Sequence, residues 1–165
     1  MPRMTIEVRI ARPAAEVLAW WTGFPDDYRA TDPREQPHRI RVVARAPGRL
    51  ELRTYWRVPL LGELVIPETM HLVSAERFEV DVHFPLGLAQ HDTFTLHDES
   101  GGEGGGTRVT IELVMWPRNL VGRLMAPLYW HLYGRRMYPR TFREAGRLCE
   151  RDAASSRAAS SRAAS

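Results

Sequence analysis

Residues 104–148 read GGGTRVTIELVMWPRNLVGRLMAPLYWHLYGRRMYPRTFREAGRL. The first part alternates with a period of two. Val109, Ile111, Leu113 and Met115 fall on one face of a strand, and Arg108, Thr110 and Glu112 on the other. Beyond Pro117 the period changes. From Leu120 onward, Leu124, Leu128, His131 or Leu132, Tyr138, Phe142, Ala145 and Cys149 recur at roughly helical spacing, and Pro127 and Pro139 are expected to kink or split that helix. A half-buried strand running into a long C-terminal helix implies that the helix covers the apolar face of a sheet.

The same alternation fills the chain upstream. His38–Ala46, Leu50–Val58, Glu63–Val73, Arg77–Phe84 and Ala89–Asp98 read as strands before the one at Thr107–Trp116, and Met4–Ile10 makes a seventh at the start. Their breaks have turn chemistry: Pro47-Gly48, Pro59 to Gly62, Ser74 to Glu76, Pro85 to Gly87 and the glycine-rich Gly101 to Gly106. Pro13 opens a short helix over Ala14–Thr22 that Gly23 ends, and Pro25 is placed to start a second helical turn through Asp26, Asp27 and Tyr28. Consecutive strands pair as a meander. The expected architecture is α+β: a curved seven-stranded antiparallel sheet wrapped around a long C-terminal helix, with two short helices after the first strand. Residues 1–152 form this domain. Residues 153–165, AASSRAASSRAAS, have no large apolar side chain to offset their ordering entropy and are expected to be a disordered tail.

Composition narrows the function. The 165 residues are 44% hydrophobic and 26% charged, ordinary values for a globular protein. All 23 basic residues are arginine, yet 20 carboxylates offset them to a net charge of +3, and strand parity sends Arg39, Arg41, Arg45, Arg53, Arg57, Arg77 and Arg108 to the solvent face. No nucleic-acid-binding signature accompanies them, so no nucleic-acid partner is expected. The Gly101–Gly106 run lacks the Gly-Lys-Ser/Thr ending of a phosphate loop and leads into a strand, so it reads as a hairpin loop. No nucleophile elbow, dinucleotide fingerprint or His-Glu-x-x-His motif occurs, and no cofactor is expected. The single cysteine, Cys149, excludes an intrachain disulfide and reads as an inert, partly buried thiol. With no membrane-length apolar run and no signal-type segment, the expected location is cytoplasmic.

Parity then identifies what points inward. Phe78, Val80, Val82 and Phe84 share one face and leave His83 outside. Phe94 and Leu96 bring Asp92 inward and send His91 and His97 out. Leu64, Ile66, Met70 and Leu72 carry Glu68 with them and leave His71 outside. Leu50 and Leu52 carry Thr54 and Trp56, while Ile40 and Val42 carry His38. Three ionisable groups, His38, Glu68 and Asp92, therefore share a face that should be apolar. Buried carboxylates are costly unless bound to something, so they mark a polar feature in the interior. Hairpin pairing sets Thr54, Glu68, Val82 and Asp92 in approximately one cross-strand row with His38 next to Trp56, and Glu68 roughly 9–10 Å from Asp92. Pro67 leaves a second possibility open, a bulge that reverses parity, exposes Glu68 and turns His71 inward.

The stretches MTIEVRIARPAAEVLAWWTGF (4–24), GGGTRVTIELVMW (104–116) and LVGRLMAPLYWHLYGRRMYPRTFREAGRL (120–148) resemble the START-like superfamily, also called SRPBCC, which includes polyketide cyclase/dehydrase-like proteins. The resemblance implies a helix-grip fold with a cavity between sheet and C-terminal helix. The first functional expectation is a soluble protein binding a hydrophobic or aromatic, lipid- or polyketide-like small molecule. Its contacts would come from Thr54, Trp56, Met70, Val82, Phe94, Leu113, Leu128 and His131. Trp20, Trp21 and Tyr28 are expected to be packing residues. The alternative is an enzyme in the same cavity, a cyclase or dehydrase with His38, Glu68 and Asp92 in acid/base roles. A metal-assisted hydrolase is a further form of it, with His38 and Glu68 as ligands, joined by Asp92 or His131; it loosely resembles the carbon-carbon hydrolases related to diacetylphloroglucinol hydrolase. A third expectation is peripheral contact with a membrane or protein partner through the basic, aromatic segment Leu120 to Phe142.

Overall fold

A computed structural model describes residues 1–30, 37–58, 62–99 and 105–163, without the side chains at 58, 132, 133 and from 153 on. Its strands are β1 (Arg3–Ile10), β2 (Asp27–Arg29), β3 (Arg39–Ala46), β4 (Arg49–Val58), β5 (Gly62–Ser74), β6 (Arg77–Phe84), β7 (Leu88–Asp98) and β8 (Thr107–Pro117). The helices are α1 (Ala14–Thr22), α2 (Leu120–Tyr129) and α3 (Arg135–Ala163). All eight strands form one antiparallel sheet in the order β1-β8-β7-β6-β5-β4-β3-β2. Each strand from β3 to β8 thus pairs with its sequence neighbour, and β1 closes on β8 with Ile6 opposite Ile111 and Val8 opposite Val109. No helix among the described residues is long and apolar enough to cross a membrane.

The eighth strand is a correction. Asp26 to Tyr28 does not make a second short helix: Asp27–Arg29 pairs with β3, Tyr28 opposite Ile40. The Asp27 carboxylate accepts hydrogen bonds from Arg39 Nε (2.7 Å) and Nη2 (3.1 Å), which hold it below the ordinary aspartate pKa. A single helical turn would leave most of its N–H groups unpaired, whereas the free edge of β3 supplies partners.

Alternation decides which face is buried. Phe78, Val80 and Val82 of β6 are buried, as are Val109, Ile111, Leu113 and Met115 of β8. They pack against the helices, Met115 against Ala126 of α2. Trp21 meets Phe78 and Phe94, which stack with centroids 4.3 Å apart, and Phe142 of α3 closes edge-on over Phe94. The outer face is ionic: Arg39, Arg77 and Arg108 pair with Asp27, Glu79 and Glu7 or Glu99, and His71 and His91 lie beside Asp81.

The final helix divides at a π-helical turn, Trp130–Gly134. Pro127 has no N–H to donate, which breaks the regular ladder one turn earlier, and Trp130 N–H turns to the carbonyls of Ala126 and Pro127. Pro139 stays inside α3. Cys149 is buried, and burial raises its thiol to about pKa 11. Beside it Arg12, an arginine that strand parity did not reach, is 6% exposed and donates from Nη2 to the Glu150 carbonyl (3.2 Å). Ala11 N–H donates to Glu150 Oε1 (2.7 Å), so the end of β1 anchors α3.

Candidate functional site

Between the inner face of the sheet and α2–α3 lies a cavity of about 930 Å³, walled mainly by apolar side chains from β3 to β7, α1 and the final helices. Thr54, Trp56, Met70, Val82, Phe94 and Leu128 line it, together with Glu68 and Asp92. Trp20, Trp21 and Tyr28, expected to be packing residues only, also reach its wall, although Trp21 is buried in the aromatic cluster at the same time. Three expected positions lie elsewhere. Leu113 is fully buried opposite Asp92, behind the cavity wall. His131 is exposed, and Leu124 and Leu128, with which it was expected in register, are themselves 73% and 50% exposed, so that stripe is an outer one. His38 is outside the lining. Its Nε2 lies 2.9 Å from Glu63 Oε2, and its buried Nδ1 has no partner among the described residues.

Two polar groups interrupt the apolar wall. The first is built on β4 and β5. The register runs unbroken through Arg53 opposite Pro67, so no bulge reverses parity there and Glu68 stays on the inner face. Thr54 Oγ1 donates to Glu68 Oε1 at 2.6 Å, and Trp56 Nε1 donates to Thr54 Oγ1 at 3.3 Å. Burial of the Glu68 carboxyl, opposed by the Thr54 bond, raises its pKa to about 7.

The second group joins sheet to helix. Gln90 Nε2 donates to both carboxylate oxygens of Asp92, each at 2.8 Å. Tyr138 of α3 donates to Gln90 Oε1 at 2.6 Å. That bond uses the only Tyr138 proton, so the 3.1 Å contact with Tyr129 is a donation from Tyr129. Burial raises Asp92 to about pKa 8, against the Gln90 bonds and with a further push from the Glu68 charge. Burial also raises the Tyr138 phenol well above its ordinary value, which keeps its proton available for Gln90. Gln90, Tyr129 and Tyr138 were not among the expected site residues. Parity alone places Gln90 on the face of Asp92, two residues away; only the packing of α3 brings Tyr138 to it.

The cross-strand row differs from expectation by one pair. Glu68 faces Leu52 and Val82, Val82 faces Gln90, and Asp92 faces Val80. Thr54 and Asp92 therefore flank the row, and Glu68 meets Thr54 on the diagonal. As for metal ligation, His38 is engaged by Glu63 and Glu68 by Thr54, so the two do not converge. Among the described residues no three His, Cys, Asp or Glu side chains gather as a metal site would require.

Neither a protein-family model nor a curated protein sequence matches the chain. Solved structures do. TTHA0849 from Thermus thermophilus matches with a TM-score of 0.57 and 18% identity over 91% of this chain and 95% of that one. Ara h 8.0201 matches with a TM-score of 0.53 and 11% identity over 81% of this chain and 93% of its own. ZhuI aromatase/cyclase from Streptomyces sp. R1128 has a TM-score of 0.53 and 11% identity over 79% and 84%. At such identities the likeness concerns the backbone. With a meander sheet closed around a C-terminal helix, the chain has a helix-grip fold, the backbone arrangement it shares with these neighbours.

Proposed function

We propose that this protein binds a mostly apolar small molecule, hydrophobic or aromatic, in the cavity between the sheet and α2–α3. The observation that carries the reading is the cavity itself: about 930 Å³, within the range of small-molecule sites, apolar but for a few converging polar groups. The lining includes the carboxylates Glu68, Asp92, Glu144 and Asp152 and, among the described residues, no arginine or histidine. The polar end of the ligand therefore meets Glu68 and Asp92, which accept hydrogen bonds when ionised and donate one when protonated. Native mass spectrometry of freshly purified protein, together with titration by an environment-sensitive apolar fluorophore, tests this. Saturable one-to-one uptake, weakened in Val82→Trp, is the expected result; no uptake by the folded protein would overturn it.

A second reading has its own observation. Glu68 and Asp92 have pKa values raised to about 7 and about 8, where a carboxyl can give or take a proton near neutrality. Acid/base chemistry on an enolisable, polyketide-like substrate follows, and the aromatase/cyclase activity named for the Streptomyces neighbour makes it a reaction to try. Turnover of such a substrate lost in both Glu68→Gln and Asp92→Asn, with fluorophore uptake retained, would establish the enzyme over the carrier.

A further inference from the structure

Carboxylates are spread unevenly among the arginines. On the sheet, Arg39, Arg45, Arg49, Arg77 and Arg108 are ion-paired, while Arg3, Arg41 and Arg53 make no ion pair with a described residue. From Leu113 to Arg143, by contrast, the chain has six arginines and no carboxylate. These are Arg118, Arg123, Arg135, Arg136, Arg140 and Arg143. All are exposed, and among the described residues none makes an ion pair. Uncompensated guanidinium groups concentrated in one segment make a positive patch that attracts anionic surfaces.

The same segment exposes apolar side chains in a way that packing does not require. Helix α2 buries Gly122 and Ala126, and its other side presents Leu120 and Leu124, each 73% exposed, with Leu128 at 50% and Val121 at 49%. Leu120, Leu124 and Leu128 are four residues apart and form one stripe, with Arg118 before it and Arg123 beside it. Gly122 seats the helix so closely on the preceding turn that a Cβ there would run into the Gly87 carbonyl. That turn holds Leu86 at a φ of 67°, a left-handed conformation unfavourable for a residue with a Cβ, and still leaves it 59% exposed. Leu86 and Leu128 also line the cavity, so the exposed stripe is continuous with the cavity wall.

We infer that the outer face of α2, with Leu86, docks on an anionic lipid membrane. Leucines enter the interface while Arg118 and Arg123 meet acidic headgroups, the pattern of an interfacial amphipathic helix. A protein partner would also suit an apolar patch. Guanidinium groups with no carboxylate partner beside a narrow leucine stripe, Arg118 near His83 Nδ1 at 3.4 Å, match a charged, laterally uniform surface instead. The inference stands whether or not the cavity's ligand derives from that membrane.

The test is flotation of the full chain with vesicles of phosphatidylcholine containing about 30 mole per cent phosphatidylserine, against pure phosphatidylcholine, at low and high salt. Leu120→Ser/Leu124→Ser and Arg118→Gln/Arg123→Gln lie outside the cavity lining and are checked by circular dichroism and fluorophore uptake. The wild type is expected to float with the acidic vesicles and to lose binding at high salt. Each double variant should lose about tenfold or more of its partitioning. No flotation of the wild type at low salt, or flotation undiminished in the leucine variant, would overturn the inference. So would a lipid-free dimer or complex dispersed by the same substitutions while the vesicles stay bare.

Discussion

The Tyr138 hydroxyl donates a 2.6 Å hydrogen bond to Gln90 Oε1, joining the final helix to the inner face of β7. Gln90 then has its amide N–H groups turned to Asp92, so one phenol on the helix orients a carboxylate on the sheet. Tyr138→Phe removes the donor and leaves a buried carbonyl oxygen unpaired. The expected cost is about 1–3 kcal/mol, measurable by urea unfolding. Gln90→Leu in the same background should not recover it, because buried Asp92 then loses both of its hydrogen bonds.

Stability should fall as pH rises through neutrality. Glu68 and Asp92 have folded-state values of about 7 and about 8, above those of an unfolded chain, 4.5 and 3.8. The folded state thus holds protons that the unfolded state has released. The favourable contribution is complete below about pH 4 and is lost progressively up to about pH 8. For Glu68 the loss is on the order of 3 kcal/mol. Melting temperatures from pH 5 to 9 should decline less steeply in Glu68→Gln/Asp92→Asn than in the wild type. Parallel profiles would contradict it.

The Phe78–Phe94 stack is the centre of the aromatic core under α1 and α3. Phe94→Ala removes the ring that Trp21, Phe78 and Phe142 all touch, and should cost about 3–5 kcal/mol in chemical denaturation. Because Phe94 also lines the cavity, the variant that remains folded should accept a bulkier apolar fluorophore than the wild type.

α3 runs on to Ala163 where a disordered tail was expected, and shortening the chain should separate the domain from those last turns. Ending it after Asp152 keeps Cys149 and the Glu150 contacts with Ala11 and Arg12, and the melting temperature and fluorophore uptake are expected to match the full chain. Ending it after Arg147 removes those anchors and strips a buried face from β1. A clear fall in melting temperature should follow, recorded by circular dichroism.

The meander and its covering helix were legible in residues 104–148, because a period of two changing to helical spacing reports which side of each segment meets a core. Parity placed Glu68 and Asp92 inside and His71, His83, His91 and His97 outside, since only continuity of the strand matters for that. It could not detect that β2 takes the free edge of β3, a choice between pairing partners distant in sequence. Nor could it tell that the stripe of Leu124 and Leu128 faces outward and His131 with it, or that His38 turns to Glu63. What the tertiary structure alone decided is the link from Tyr138 to Gln90 and Asp92. Local periodicity orients a side chain relative to its own element, while a hydrogen bond between helix and sheet depends on how the two elements dock.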